Sequence, residues 1–136
     1  MNYLLDTNIC IVLINGTSQK ARLEFSKAIR DGSSLTTSSI IVHELWYGVA
    51  KSRLAVQNAR ALSAFLSRGI AVLDFSVQDA QAAGEIRAEL ERKGTRIGEY
   101  DTLIAGQACA RNLVLVTANT REFRRVKGLK VEDWTA

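Results

Sequence analysis

Tyr3-Leu4-Leu5-Asp6-Thr7-Asn8 is the stretch on which the fold turns. Three apolar residues form a short strand, an acid ends it, and residues 7–14 continue as a short helix. The same grammar recurs downstream. Leu35-Thr36-Thr37 is a weak strand, followed by a helix that Ser38 or Ser39 can cap and that runs to about Lys51. Ile70-Ala71-Val72-Leu73 is a strand, followed by a long helix opening at Ser76 and Asp79, spaced as a capping box, and closing near Gly94. Leu113-Val114-Leu115-Val116 is too apolar to alternate and reads as a buried strand.

Between these units the periodicity is helical. Residues 18–31 form an amphipathic helix with Leu23, Phe25 and Ile29 as its apolar positions, stopped by Gly32. Residues 55–67 carry Val56, Ala59, Leu62 and Phe65 at helical spacing, and a further helix spans about Tyr100 to Arg111. A helical turn around Arg121–Phe123 and a strand near Lys130–Glu132 close the chain. Short apolar strands alternating with helices define an α/β fold, a central parallel β-sheet flanked by α-helices. The 136 residues fit a single domain, 1–136.

Composition narrows the classes of function. Apolar residues make up 47% and charged ones 24%, as in an ordinary globular core. No apolar run approaches the roughly 20 residues of a membrane span, and the N-terminus lacks the basic start of a signal peptide. A cytoplasmic protein is expected. Cys10 and Cys109 stand far apart and read as free thiols; with one histidine in the chain they do not make a structural zinc site. The net charge of +4 permits a polyanionic partner. Its distribution is more informative, with Arg111, Arg121, Arg124, Arg125, Lys127 and Lys130 in the last quarter. A solvated basic face and a nucleic-acid surface are both open on charge alone.

In parallel α/β sheets, ligands bind beyond the carboxyl ends of the strands. Asp6 sits at one such end and Thr117-Ala118-Asn119 at another. Glu44 shares a helix face with Ile40, Ile41, Leu45 and Gly48, where an ionised carboxylate is costly without a partner. Asp101 lies on the stripe of Ile104, Ala105 and Ala108. Each has a plainer reading: Asp6 and Asp101 as helix caps, Glu44 as half of an ion pair, Asn119 as a turn residue, and Glu122 as a solvated acid of undetermined direction. Taken together they are carboxylates from separate segments on one sheet edge. Crowded carboxylates repel, a hard divalent cation relieves the repulsion, and oxygen-only ligands suit Mg²⁺ or Mn²⁺. Such a site can hydrolyse a phosphodiester.

Four ordered segments add a resemblance: Leu4-Leu5-Asp6-Thr7-Asn8, Ser39 to Gly48 around His43-Glu44-Leu45, Gly98-Glu99-Tyr100-Asp101-Thr102-Leu103-Ile104-Ala105, and Thr117-Ala118-Asn119-Thr120-Arg121-Glu122-Phe123. With the closing Val131-Glu132-Asp133-Trp134, the chain resembles the VapC-type PIN-domain toxins of toxin–antitoxin pairs over essentially its whole length. The resemblance implies a PIN-like fold, Mg²⁺- or Mn²⁺-dependent endoribonuclease activity, a small VapB-like antitoxin and a homodimer. It implies metal at Asp6 and Asp101, with Glu44 completing the catalytic cluster. Many members carry a fourth acid where this chain has Asn119, which can still donate a carbonyl oxygen or orient a water. Thr7, Asn8 and Thr117 take supporting roles. Ile86 to Gly94 followed by Ile97-Gly98-Glu99-Tyr100-Asp101 is similar to the enteric type that cleaves initiator tRNA.

Other readings compete. A receiver-like domain would want an acid pair after the first strand, and a phosphatase would want Asp at position 8, where this chain has Asn. A PIN-like domain that has lost catalysis and only binds RNA or protein remains open through Asn119, and a DNA nuclease through the metal chemistry. His43, rotated about 100° from Glu44 on a helix, reads as a surface or packing residue. Trp46 and Tyr47 line either the core, the commoner fate, or an antitoxin groove. The helices at 38–52 and 55–67 carry surplus apolar surface, so they are expected to clamp an antitoxin segment whose Arg or Lys reaches the acidic site. Arg121, Arg124, Arg125 and Lys127, beside Asn119, are expected to bind the RNA backbone.

Overall fold

A computed structural model describes all residues, 1–136. Five strands, β1 (Asn2–Leu5), β2 (Ser34–Ser38), β3 (Ala71–Leu73), β4 (Val114–Val116) and β5 (Lys130–Glu132), form one sheet. Its order is β3-β2-β1-β4-β5 and every pairing is parallel. The helices are α1 (Thr7–Asn15), α2 (Gln19–Arg30), α3 (Ser39–Ala50), α4 (Ala55–Leu66), α5 (Val77–Arg92), α6 (Glu99–Ala110) and the single turn α7 (Thr120–Phe123). Helices α1 to α4 pack on one another, α5 packs on α6, and α3 meets α6. No helix is long and apolar enough to cross a membrane.

Burial follows sheet position. Leu4 and Leu5 on β1 and Leu115 and Val116 on β4 have no exposed surface, whereas Ala71 and Val72 on the edge strand β3 are exposed. The continuous apolar reading of 113–116 thus corresponds to strands covered on both faces. Two helical stripes differ from expectation. On α2 the core contacts come from Ala21, Phe25 and Ala28, while Leu23 and Ile29 are exposed. On α4 they come from Leu62 and Phe65, while Val56 is exposed. On α2, Ala21, Phe25 and Ala28 follow one another at i, i+4 and i+7 and so form one face, with Leu23 opposite it and Ile29 at its edge. Trp46 and Tyr47 also depart from the core reading, since both are exposed on α3. Cys10 and Cys109 are free, as expected, and burial pushes the Cys10 thiol up to about 12.

One polar clasp ties α5 to α6. Ser76 and Asp79 form the capping box at the start of α5. Asp79, only 1% exposed, also accepts from Arg111 Nε at 3.2 Å, Arg111 Nη2 at 3.0 Å and Gln107 Nε2 at 3.2 Å. Arg111 therefore leaves the basic set of the last quarter and serves the fold. Gln107 Oε1 is buried without a partner. The two helices touch so closely at Gly106 that a Cβ there would lie 2.6 Å from Ala83 backbone atoms.

Candidate active site

The sheet order places the chemistry. Going outward from β1, the chain runs one way through β2 to β3 and the other way through β4 to β5. A crevice forms beyond the carboxyl ends of two strands at such a reversal. Asp6 leaves β1 and Thr117 leaves β4 on the two sides of that point, and the Asp6 amide bonds to the Val116 carbonyl at 3.0 Å.

Asp6 caps a helix and is also tied across the sheet edge. One carboxylate oxygen caps α1 by accepting from the Thr7 amide at 2.8 Å, and the other accepts from the Thr117 hydroxyl at 2.8 Å. The Thr117 hydroxyl is itself a hub, accepting from Asn8 Nδ2 at 3.3 Å and from the Asn119 amide at 3.0 Å. Asn8 closes the loop by accepting from the Ala118 amide at 3.0 Å. Across the site, the Thr7 hydroxyl donates to Glu44 Oε1 at 3.3 Å. Thr7, Asn8 and Thr117 are thus the struts that hold the acidic groups in place.

Asp101 sits in the first turn of α6. Gly98, the N-cap, lies against it: a Cβ there would be in ordinary contact with Asp101 Oδ2, at 3.5 Å. The Asn119 side-chain amide reaches Asp101 Oδ2 at 3.4 Å and Glu122 Oε2 at 3.0 Å. Glu122 therefore turns into the site, joined through the residue that stands at the fourth family position. The three-residue spacing of Asn119 and Glu122 at the start of a helical turn was the available signal. Sequence patterning alone left its direction open.

The carboxylates are electrostatically coupled. Burial first, then the charges of Asp6, Glu122 and Glu44, push the Asp101 carboxyl up to about 6. Burial and then Asp6 raise Glu44 as well. Burial raises Asp6, against the hydrogen bonds from Thr117 and Thr7. No three His, Cys, Asp or Glu side chains close into a ligand shell. The donor set nevertheless fits a hard divalent cation: it is all oxygen, held from several elements, and its members repel one another.

Around the rim, His43 and Tyr100 are exposed and their rings lie 5.7 Å apart, so His43 packs at the surface. Arg121, Arg124, Arg125 and Lys127 are all exposed, and none pairs with Glu122 or Asp133. Arg125 is partly engaged, donating to the Arg96 carbonyl at 2.9 Å and so fastening the loop that leads into α6.

An all-parallel sheet with this strand order and acids from β1, α3 and α6 at its switch point defines a class, and comparison with known proteins gives it a name. The PIN domain family model matches residues 3–129, and the chain belongs to that family, among its VapC ribonucleases. It is 44% identical to the tRNA(fMet)-specific endonuclease VapC of Salmonella typhimurium, with 98% of each chain covered. Among solved structures it matches VapBC2 from Rickettsia felis bound to a fragment of promoter DNA, with a TM-score of 0.92 and 40% identity over 98% of this chain and 99% of that one. The DNA-bound VapBC from Salmonella typhimurium gives a TM-score of 0.90 at 43% identity over 98% of both chains.

Proposed function

We propose that this ribonuclease is a Mg²⁺- or Mn²⁺-dependent endoribonuclease toxin that cleaves tRNA in the cytoplasm, with initiator tRNA as its target by likeness to the Salmonella relative. The observation that carries the reading is the meeting of Asp6, Glu44, Asp101 and Glu122, from four separate segments, around the struts Thr7, Thr117 and Asn119. Asp6, Asp101 and Glu44 would hold the cation, and Asn119 would supply a carbonyl oxygen or orient water. When bound, the cation would neutralise charge on the phosphate and lower the pKa of the attacking water. The protein's own part is to fix the acids and keep them close. Arg121, Arg124 and Lys127, exposed beside Asn119, would hold the RNA backbone, and Arg125 would hold the loop at Arg96.

A VapB-like antitoxin is the proposed inhibitor, since the similar solved structures are VapBC assemblies. Its seat would be the apolar cavity between α1, α3 and α4, which has a volume of about 220 Å³ and includes Glu44 in its wall. A homodimer is also proposed, and light scattering at high concentration tests it.

The deciding experiment incubates the purified protein with total tRNA and Mg²⁺, with and without chelator, and sequences the fragments. A discrete cut in initiator tRNA that chelator abolishes is expected. Cutting that ignores chelator would remove the metal from the proposal. RNA bound but never cut would turn the protein into the binding module that Asn119 leaves possible, and equal cutting of single-stranded DNA would remove the RNA preference. Replacing Arg121 and Arg124 with Ala should flatten the salt dependence of RNA binding by a log–log slope of about 0.7 per lost contact.

A further inference from the structure

The cavity beside Glu44 does not end at the acidic site. A second cavity, of about 530 Å³, opens between the C-terminal end of α1, helix α2 and the turn after α4. Ile14 and Asn15 line both, so the two cavities adjoin, a two-part trough along α1. Its ends differ in charge. At one end Glu44 accepts from Thr7, the first residue of α1. At the other, beyond Asn15, the last residue of α1, stand Arg22 and Arg68. Neither arginine forms any of the protein's ion pairs, which lie on α5, in the loop after it and at the Asp79 clasp. Between the ends, Ile11 and Ile29 are 45% and 50% exposed. The nine residues of α1 separate the acid from the arginines by about 13 Å.

Resting on the antitoxin reading, we infer that the trough accepts a peptide segment of fixed polarity. Its cation lies at the Glu44 end, its middle is apolar, and its carboxylate is clamped by Arg22 and Arg68. Both arginines are exposed and outside every ion pair of the protein, and a carboxylate accepting from both gains two charge-assisted hydrogen bonds. An RNA phosphate fits less well, because the cavity that continues from the arginines has apolar walls and an acid, Glu44, at its far end. The separation corresponds to about four residues of extended chain or about nine of helix. A segment laid in backwards would set carboxylate against Glu44 and cation against the arginines. The pair therefore fixes the direction of the partner chain by repulsion as well as attraction.

The test pans a phage-displayed library of random 16-residue peptides on the purified protein and on its R22Q/R68Q and R22E/R68E variants. Binders are located by NMR shifts of Ile14 and Leu62. Wild-type binders should carry an acid at one end and a base at the other. Replacing that acid with Asn should weaken binding to the wild type about tenfold and leave binding to R22Q/R68Q unchanged. R22E/R68E should select a base in place of the acid. The inference is overturned if the acid matters equally to wild type and R22Q/R68Q, or if both charge states select the same sequences. It is also overturned if tRNA displaces the peptides only when Arg22 and Arg68 are present, which would make the pair a phosphate site. If no peptide shifts Ile14 or Leu62, it is the antitoxin reading of the trough that fails.

Discussion

Two groups of carboxylates in this protein are treated in opposite ways. Asp79 is almost wholly buried, yet its carboxyl is held below the usual range: burial works against it, but the hydrogen bonds from Arg111 and Ser76 outweigh burial. Asp6, Glu44 and Asp101 are raised, because each is buried to some degree and the charges nearest to Glu44 and Asp101 include other acids. The first group is complete within the chain. The second is held by the hydroxyls of Thr7 and Thr117, the Thr7 backbone amide and the Asn119 side-chain amide, none of which carries a positive charge. Burial alone does not separate them, since both include a nearly inaccessible Asp; the sign of the neighbours does. A fold stabilises the first kind of cluster for its own sake and keeps the second for something that arrives.

The largest effect expected from breaking this contrast is on activity. Asp6→Asn or Asp101→Asn should lower RNA cleavage by about 10³-fold, while the melting temperature stays level or rises because repulsion is relieved. A folded variant that kept wild-type cleavage would remove its residue from the proposed catalytic set. The Asp79 clasp should behave inversely. Asp79→Ala should cost about 3 kcal/mol of stability, since removing one partner strands Arg111 and Gln107, with turnover of the folded fraction unchanged. Denaturant unfolding beside activity per folded molecule reads both. A loss below about 1 kcal/mol would mean that water replaces the clasp.

Asn119 sharpens the comparison, being the amide that links Asp101 to Glu122. Asn119→Ala should reduce cleavage by about tenfold, the usual scale for a residue that orients a ligand, and the loss should shrink at high Mg²⁺. A loss that is independent of Mg²⁺ would limit Asn119 to a role in folding of the turn. The smallest effect is on the pH dependence of stability in chelator. With Asp101 raised to about 6, the folded state holds its proton more tightly than the unfolded state. Its contribution is therefore most favourable below the unfolded value of about 3.9 and is lost as pH rises towards 6. Asp79 is depressed, so its contribution is present above about 3.9 and is lost as pH falls through its lower folded value. Melting temperatures across this range should show that Asp101→Asn flattens the upper limb and Asp79→Asn the acid limb. Identical profiles for both variants would remove the distinction between the clusters.

The sequence by itself determined the elements and their kind. Apolar runs of three or four residues ending in Asp6 and in Thr117 read as short strands of a covered sheet, Leu35-Thr36-Thr37 was a weaker signal of the same kind, and the capping box at Ser76 and Asp79 marked its helix start. These signals are local: dihedral preference, capping and periodicity act within a few residues of chain. The motifs around Asp6, Glu44, Asp101 and Asn119 also carried the family. Tertiary structure decided what depends on distance between segments. It turned Glu122 into the site through Asn119, took Arg111 out of the basic face for Asp79, and gave Arg125 the Arg96 carbonyl. It exposed Leu23, Ile29 and Val56, which periodicity had assigned to the core, and buried Ala21 and Ala28 instead. An arginine or an acid has the same local propensity whether it meets a partner or water. Only the packing of β1 beside β4, and of α5 on α6, determines which charge finds which, because those contacts join residues up to 111 positions apart.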